Sequence, residues 1–189
     1  MRIVITGAGG FVGSHLAEWC VARGHHVLGI VKSASSLPLA RLRSLKKKEN
    51  FYLKVCDLAV DASGIAERAD FVFHLAASTF VDQSIRHPEI FLRNNVNATF
   101  NLLEEIRKNS VGRFIYMSTD EVYGPTLGEP FSESAPINPS NPYAVTKAAG
   151  DALVNAYVIS YGLPAIIVRG SNIYGTFQHP QKVIPTFVR

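Results

Sequence analysis

The chain opens with a short β-branched run that leads directly into a glycine-rich segment. Residues 2–6 (RIVIT) predict a strand and residues 7–13 (GAGGFVG) a tight turn, while the apolar pattern that follows predicts a helix ending near Gly24. Gly7, Gly10 and Gly13 have the G-x-x-G-x-x-G spacing. A strand, a glycine turn and a helix in this order bring backbone N–H groups to a pyrophosphate at the helix N-terminus. The unit therefore predicts a dinucleotide site, although a glycine triplet alone also occurs in purely structural turns.

Apolar runs and helical patterns alternate along the rest of the chain. Further strands are predicted at 26–31, 51–56, 70–76, 113–118 and 164–169, and helices begin near Pro88 and at Asn141-Pro142. Because parallel strands need crossover connections, this alternation predicts a doubly wound parallel α/β sheet of the Rossmann type over residues 1–169. Residues 124–142 are rich in proline and predict a long functional loop. Residues 170–189 contain no closing element, so we expect the chain to end within a domain.

Composition and charge exclude several classes of protein. Of the 189 residues, 47% are hydrophobic and 18% charged, which predicts one folded domain and excludes disorder. The formal net charge of +4 suits a phosphate-bearing ligand but is too small to indicate a nucleic-acid partner. Cys20 and Cys56 lack metal-ligand spacing and fall in apolar patterns, so we expect reduced core cysteines, no metal site and a cytoplasmic location. No apolar run approaches the ~18 residues of a membrane span, which predicts a soluble protein without a membrane partner.

The end of the second predicted strand lacks the acidic residue that dinucleotide sites normally place there to bind the ribose 2′-hydroxyl. Val31 and Lys32 occupy this position. Lys32 and the serines that follow it (Ser33, Ser35 and Ser36) suit a 2′-phosphate, so NADP is as plausible a cofactor as NAD; a solvated lysine is the alternative. Past the third strand, Asp57 and Leu58 are expected at the adenine end of the site.

Two groups of residues indicate chemistry at the carboxyl edge of the sheet. Tyr143 and Lys147 are four residues apart, so on a helix their side chains share a face. A nearby ammonium and the positive helix end both favour the phenolate, so we expect Tyr143 to be a base near neutral pH. Such a pair also occurs on ordinary helices. It gains weight from Ser118-Thr119-Asp120-Glu121 at the end of the fifth strand, where open α/β sheets bind ligands, although a cap opening the loop is the alternative there.

With these motifs the chain resembles the extended short-chain dehydrogenase/reductase family over nearly its whole length. The resemblance rests on TGAGGFVGSH at 6–15, HLAA at 74–77, MSTDEVYG at 117–124, NPYAVTKAAG at 141–150 and RGSNIYGTFQHPQKVIP at 169–185. The Thr119-Asp120-Glu121 triplet and the last block are most similar to the nucleotide-sugar 4,6-dehydratases of that family. The resemblance implies that residues 170–189 begin a substrate-binding lobe that is largely absent from this chain.

For such a dehydratase the resemblance implies a cycle on a dTDP- or UDP-hexose. Tyr143, assisted by Thr119 and Lys147, takes the proton of the sugar 4-hydroxyl while a tightly held NAD(P) takes the C4 hydride. Glu121 then removes the C5 proton and Asp120 protonates the departing 6-hydroxyl, after which the hydride returns to C6. Two adjacent carboxylates suit this chemistry, since elimination needs a separate base and acid.

The resemblance also implies binding residues and partners. The cofactor contacts are Gly7, Gly10, Phe11, Val12, Gly13, Lys32, Asp57, Leu58, Leu75, Ala76, Ala77, Asn94, Tyr143 and Lys147. The nucleotide-sugar contacts are Thr79, Thr119, Asn172 and Lys182, while Phe80 stands where these enzymes commonly have histidine. A homodimer is implied, formed by the helices that begin near Pro88 and Pro142. The alternatives are a nucleotide-sugar epimerase or UDP-glucuronate decarboxylase of the same family, and a non-catalytic NAD(P)-binding module.

Overall fold

The structure, a computed structural model, describes residues 1–34, 40–126 and 128–188. The strands in these residues are β1 (Arg2–Thr6), β2 (His26–Val31), β3 (Phe51–Val55), β4 (Phe71–His74), β5 (Arg113–Thr119) and β6 (Ala165–Gly170). They form one parallel sheet in the order β3-β2-β1-β4-β5-β6. The predicted doubly wound sheet of the Rossmann type is confirmed. β4 is shorter than predicted, because residues 75–77 leave the sheet beyond His74.

Helices connect the strands. They are α1 (Phe11–Ala22), α2 (Val81–Arg86), α3 (Pro88–Phe91), α4 (Ala98–Lys108), α5 (Pro142–Tyr161) and α6 (Val183–Val188), and a π-helical segment, Leu92–Asn97, joins α3 to α4. α5 begins as predicted, because the Asn141 side chain accepts a hydrogen bond from the Ala144 N–H and Pro142 fits the first helical position. It ends at Gly162, whose φ of 67° gives the left-handed conformation that commonly terminates helices.

The core consists of two apolar clusters. The first includes Val4, Val72 and Phe114 of the sheet with Leu102 of α4 and Val154 of α5. The second includes Ile5 and Val27 of the sheet with Ala17 and Cys20 of α1. Consecutive residues of β1 therefore enter different clusters, as expected for a strand that is buried on both faces. Cys20 is a buried free thiol as expected, whereas Cys56 is only partly buried.

The order of the strands places a crevice at the centre of the sheet. In the sheet, β1 lies between β2 and β4. The chain goes from β1 to β2 and β3 on one side, and then crosses to β4 on the other side of β1. Connections at the carboxyl ends of β1 and β4 therefore run in opposite directions, which opens the crevice where α/β proteins bind ligands. Within the described residues, no helix combines the length and apolar character that crossing a bilayer requires.

Candidate active site

The glycine turn between β1 and α1 is shaped by close contacts between backbone segments. Gly7 has a φ of 69°, and a Cβ there would lie 2.9 Å from the backbone nitrogen of Ala76. A Cβ on Gly13 would overlap the carbonyl oxygen of Gly7. Both positions therefore require glycine. The turn exposes the N-terminus of α1 to the crevice, which is the arrangement that binds pyrophosphate.

Most of the predicted cofactor residues line a single pocket in the crevice. The predicted residues that line it are Gly7, Gly10, Lys32, Asp57, Leu58, Leu75, Ala76, Ala77 and Asn94. Phe11, Val12 and Gly13 form the adjoining first turn of α1. Cys56 lines the same pocket, so the expectation of a core cysteine is wrong for this residue. The shape and the glycine turn fit a dinucleotide with its pyrophosphate at α1.

A charged network stands at the end of the pocket nearest β2 and β3. The Lys32 ammonium donates a hydrogen bond to the Asn94 side chain (2.7 Å) and lies 3.5 Å from the Asp57 carboxylate, which Arg93 also binds at 2.7 Å. Burial alone would raise the pKa of Asp57, but the Ala59 N–H and the two cations lower it below its usual range. The Lys32 ammonium therefore already has two partners, Asn94 and Asp57. Of the serines expected beside it, Ser35 and Ser36 lie outside the described residues.

Tyr143 and Lys147 lie on one face of α5 and both are buried. The Tyr143 hydroxyl lies close enough to Thr119, at the end of β5, for Thr119 to lower its pKa. The Lys147 ammonium lies 4.2 Å from the centre of the Tyr116 ring. Burial raises the pKa of Tyr143 to about 12, which Thr119 opposes and the carboxylates of Glu121 and Asp120 reinforce. The expectation of a base near neutral pH is therefore not met, because burial is the largest influence on the pKa of Tyr143. Burial also lowers the pKa of Lys147 to about 7.

The two predicted carboxylates stand beside this pair on a short 3-10 turn, Asp120–Tyr123, that follows β5. The Thr119 hydroxyl donates to Asp120 (3.2 Å), and the Asn141 amide donates to Glu121 (3.0 Å). Asn141 also caps α5 with its side-chain oxygen, as described above. One asparagine therefore fixes both the helix that carries Tyr143 and the carboxylate next to it. From its sequence pattern, Asn141 is predicted only as the start of a helix.

A second asparagine that the sequence analysis missed joins three parts of the site. The buried Asn95 side chain lies in the π-helical segment, accepts from the Ser78 N–H (2.7 Å) and donates to the Ser78 carbonyl and to the Thr146 hydroxyl (each 3.0 Å). It thus ties the loop after β4 to the residue that precedes Lys147. π-Helical turns often occur at functional sites. The run Asn94-Asn95 within an apolar pattern was the available signal.

His74 is buried between the glycine turn and the helices. Its Nδ1 is 2.7 Å from the Thr6 hydroxyl, and its Nε2 is 3.0 Å from the Thr99 hydroxyl, which itself donates to the Asn95 carbonyl. Because the Thr99 proton is engaged, His74 donates through Nε2 and accepts from Thr6 through Nδ1. Burial and the Lys147 charge lower the pKa of His74 to about 3, so the ring stays neutral. The described residues hold no cluster of three or more His, Cys, Asp or Glu side chains arranged for a metal.

The remaining predicted substrate residues lie apart from this network. Thr79 and Asn172 are exposed, and the Lys182 ammonium lies 4.9 Å from the centre of the Phe80 ring, which His179 contacts edge-on. Within residues 1–34, 40–126 and 128–188, no hydrogen bond joins Thr79, Asn172 or Lys182 to Tyr143. The structure therefore places Thr119 beside Tyr143 but does not bring the other three to it.

Comparison with known proteins gives consistent results. A sequence model described as the NAD dependent epimerase/dehydratase family matches residues 3–189. A probable dTDP-glucose 4,6-dehydratase of Sinorhizobium fredii is 37% identical over 203 residues, which cover 100% of this chain and 58% of that protein. Among solved structures, the dTDP-glucose 4,6-dehydratase DesIV of Streptomyces venezuelae, with NAD and TYD bound, has a TM-score of 0.93 at 34% identity, covering 100% of this chain and 61% of that one.

An epimerase is almost as similar in structure. The UDP-glucuronic acid 4-epimerase of Bacillus cereus, in complex with NAD, has a TM-score of 0.92 at 31% identity, covering 100% of this chain and 61% of that one. The chain thus spans about three fifths of the length of these relatives.

Proposed function

Because the chain belongs to the NAD dependent epimerase/dehydratase family, we propose that it is the dinucleotide-binding part of a nucleotide-sugar 4,6-dehydratase acting on dTDP-glucose or UDP-glucose. In this proposal residues 1–169 form the dinucleotide domain and residues 170–189 begin the substrate-binding lobe. The observation that carries it is the placement of Thr119, Asp120 and Glu121 beside Tyr143, with Glu121 held by Asn141. Loss of water requires an acid and a base in addition to the tyrosine that takes the hydroxyl proton during oxidation.

The cofactor of this proposal is NAD, held by the pocket residues named above together with Tyr143 and Lys147. When bound, NAD accepts a hydride from the sugar and later returns it. The Asp57 carboxylate, which lies 3.5 Å from Lys32, disfavours a second negative group at that end of the pocket. NADP, whose 2′-phosphate would have to compete with Asp57 for Lys32, is the alternative. Stronger thermal stabilisation by NADP than by NAD at equal concentrations would contradict this choice.

The residues divide the work by their positions. Tyr143 accepts the proton of the sugar 4-hydroxyl, and Thr119, which lies beside Tyr143, orients that hydroxyl. Glu121, whose carboxylate is held by Asn141, removes the C5 proton. Asp120 donates a proton to the departing 6-hydroxyl. Thr79, Asn172 and Lys182 contact the nucleotide sugar in this proposal. Burial raises the pKa of Tyr143, so its role as a base depends on neighbouring groups that favour the phenolate.

The first test is mass spectrometry of dTDP-glucose, UDP-glucose and UDP-glucuronate after incubation with the chain and both cofactors. Loss of one water from a hexose nucleotide is the expected result. Tyr143→Phe should lower the rate of oxidation by about 10²–10⁴-fold, the usual contribution of a proton-transferring side chain. Glu121→Gln should retain oxidation but block loss of water, so that reduced cofactor accumulates. Wild-type elimination in Glu121→Gln would refute its role.

Two other functions are the alternatives to this proposal. The similarity to the Bacillus cereus epimerase favours a nucleotide-sugar epimerase as the second candidate, and a UDP-glucuronate decarboxylase is its variant within the same family. In the same experiment, a hexose nucleotide with inverted configuration at one sugar carbon would identify an epimerase, and loss of carbon dioxide would identify a decarboxylase. The third is a non-catalytic NAD(P)-binding module, which predicts binding of the dinucleotide with no change in any sugar nucleotide.

We also propose that the protein is a cytoplasmic homodimer. An apolar groove between α3 and the start of α5 is lined by Pro88, Leu92, Pro142 and Val145, and the side chains of Leu92 and Val145 are about half exposed (55% and 50%). A twofold partner that covers these helices would bury this surface. The two free thiols, Cys20 and Cys56, support a reducing compartment.

A further inference from the structure

α5 carries a buried carboxylate to which the proposed chemistry assigns no role. The Asp151 side chain has no exposed surface (0%), and its Oδ2 accepts a hydrogen bond from Arg169 Nε at 2.8 Å. Its Oδ1 has no hydrogen-bond partner in the described part of the chain. A buried carboxylate oxygen without a partner is costly, so its retention calls for a compensating charge close by.

Arg169 compensates the charge at Oδ2, and a second cation, Lys147, lies one turn earlier on the same helix. Residues four apart on a helix are neighbours on its surface, and both side chains are buried. The other titratable groups that face Lys147 are the Tyr116 ring from β5, Tyr143 from α5 and the neutral His74 from β4. Burial lowers the pKa of Lys147 to about 7, and Asp151 is the group that acts in the opposite direction.

Arg169 at the end of β6 links this carboxylate to the turn that carries the candidate acid and base. Its guanidinium donates to Asp151, to the Tyr123 hydroxyl (2.7 Å) and to the Glu133 carbonyl (3.2 Å). Tyr123 ends the 3-10 turn that contains Asp120 and Glu121. The same guanidinium therefore anchors the turn and pairs with the Asp151 carboxylate.

We propose that Asp151 is a positioning residue that keeps the Lys147 side chain charged, and that Arg169 limits this effect by sharing the carboxylate. The benefit to Tyr143 rests on the proposed function, because a charged lysine favours the phenolate only if Tyr143 is the base. The charge of Lys147 itself is measurable without turnover. Failure of the two ideas can therefore be distinguished.

The test is NMR titration of the full chain labelled with ¹³C at the lysine ε-carbons. Lys147→Met identifies the Lys147 signal by its loss. In Asp151→Asn the pKa of Lys147 should fall by about one pH unit, the lower end of the effect of a neighbouring opposite charge. Asp151→Glu, which keeps the charge, should leave it near the wild-type value. An unchanged or higher pKa of Lys147 in a folded Asp151→Asn variant overturns the proposal.

The direction of the shift separates an electrostatic role from a structural one. Loss of packing would return Lys147 to water and raise its pKa toward ~10.4, whereas the proposal predicts a decrease. If Asp151→Asn does not fold, Arg169→Gln supplies the test, because it leaves Asp151 to Lys147 alone. The pKa of Lys147 should then rise while the circular dichroism spectrum and the melting temperature still report a folded chain. No rise in that variant overturns the proposal.

Discussion

Two substitutions of Asn141 distinguish the two hydrogen bonds that its side chain makes. Its oxygen caps α5 and its amide nitrogen holds Glu121. Loss of an N-cap costs about 1 kcal/mol of stability, and loss of a half-exposed hydrogen bond to a carboxylate costs about 0.5–1 kcal/mol. Asn141→Ala loses both, so its free energy of unfolding should fall by about 1.5–2 kcal/mol and its melting temperature by about 3–8 °C. Asn141→Ser retains a capping oxygen and should lose only the smaller part.

The assay is thermal and urea unfolding of the three chains, followed by far-ultraviolet circular dichroism. The urea m-value should be the same in all three, since the surface exposed on unfolding does not change. Alanine should be less stable than serine by about 1 kcal/mol, the value of the cap. Equal stability of the two variants would show that the oxygen does not cap α5. Wild-type stability in both would refute the whole assignment for Asn141.

Two further predictions concern the glycine turn and the buried histidine. The added methyl group of Gly13→Ala overlaps the Gly7 carbonyl, so this variant should not bind NAD in isothermal titration calorimetry. The control is Gly170→Ala, where a Cβ lies 3.8 Å from Met117 Sδ, and this variant should bind NAD normally. Equal affinities of the two variants would refute the close contact at Gly13. Because the pKa of His74 is lowered to about 3 on folding, the unfolded chain takes up a proton first as the pH falls below ~6.5. Wild-type stability should therefore fall between pH 7 and 5 by up to about 2 kcal/mol more than that of His74→Gln, and parallel urea-unfolding curves for the two chains would exclude this.

The sequence was sufficient for features that depend on neighbouring residues. The strands, the glycine turn and the start of α5 follow from short patterns whose geometry is local, and all of them are confirmed. The adjacency of Thr119 to Tyr143 also followed, because parallel strands bring their carboxyl ends to one edge of the sheet.

Features that depend on distant residues or on burial were not predictable. The sequence around Lys32 predicted a contact with a 2′-phosphate. Its hydrogen-bond partner Asn94 is 62 positions away and could not be identified from that local pattern. The expected low pKa of Tyr143 followed from its spacing to Lys147, whereas the dominant influence is the burial of both side chains. The contact between Asp151 and Arg169 likewise joins α5 to β6 through side chains whose patterns are independent.

The hydrogen bond between Thr6 and His74 joins residues 68 positions apart at the floor of the cofactor crevice. A loop of that length must close before the two walls of the crevice come together, and closing it is entropically costly. A partly folded chain that has formed only local contacts therefore has no place for a dinucleotide. A dinucleotide that binds both walls therefore stabilises, by mass action, the sheet as a whole rather than one segment.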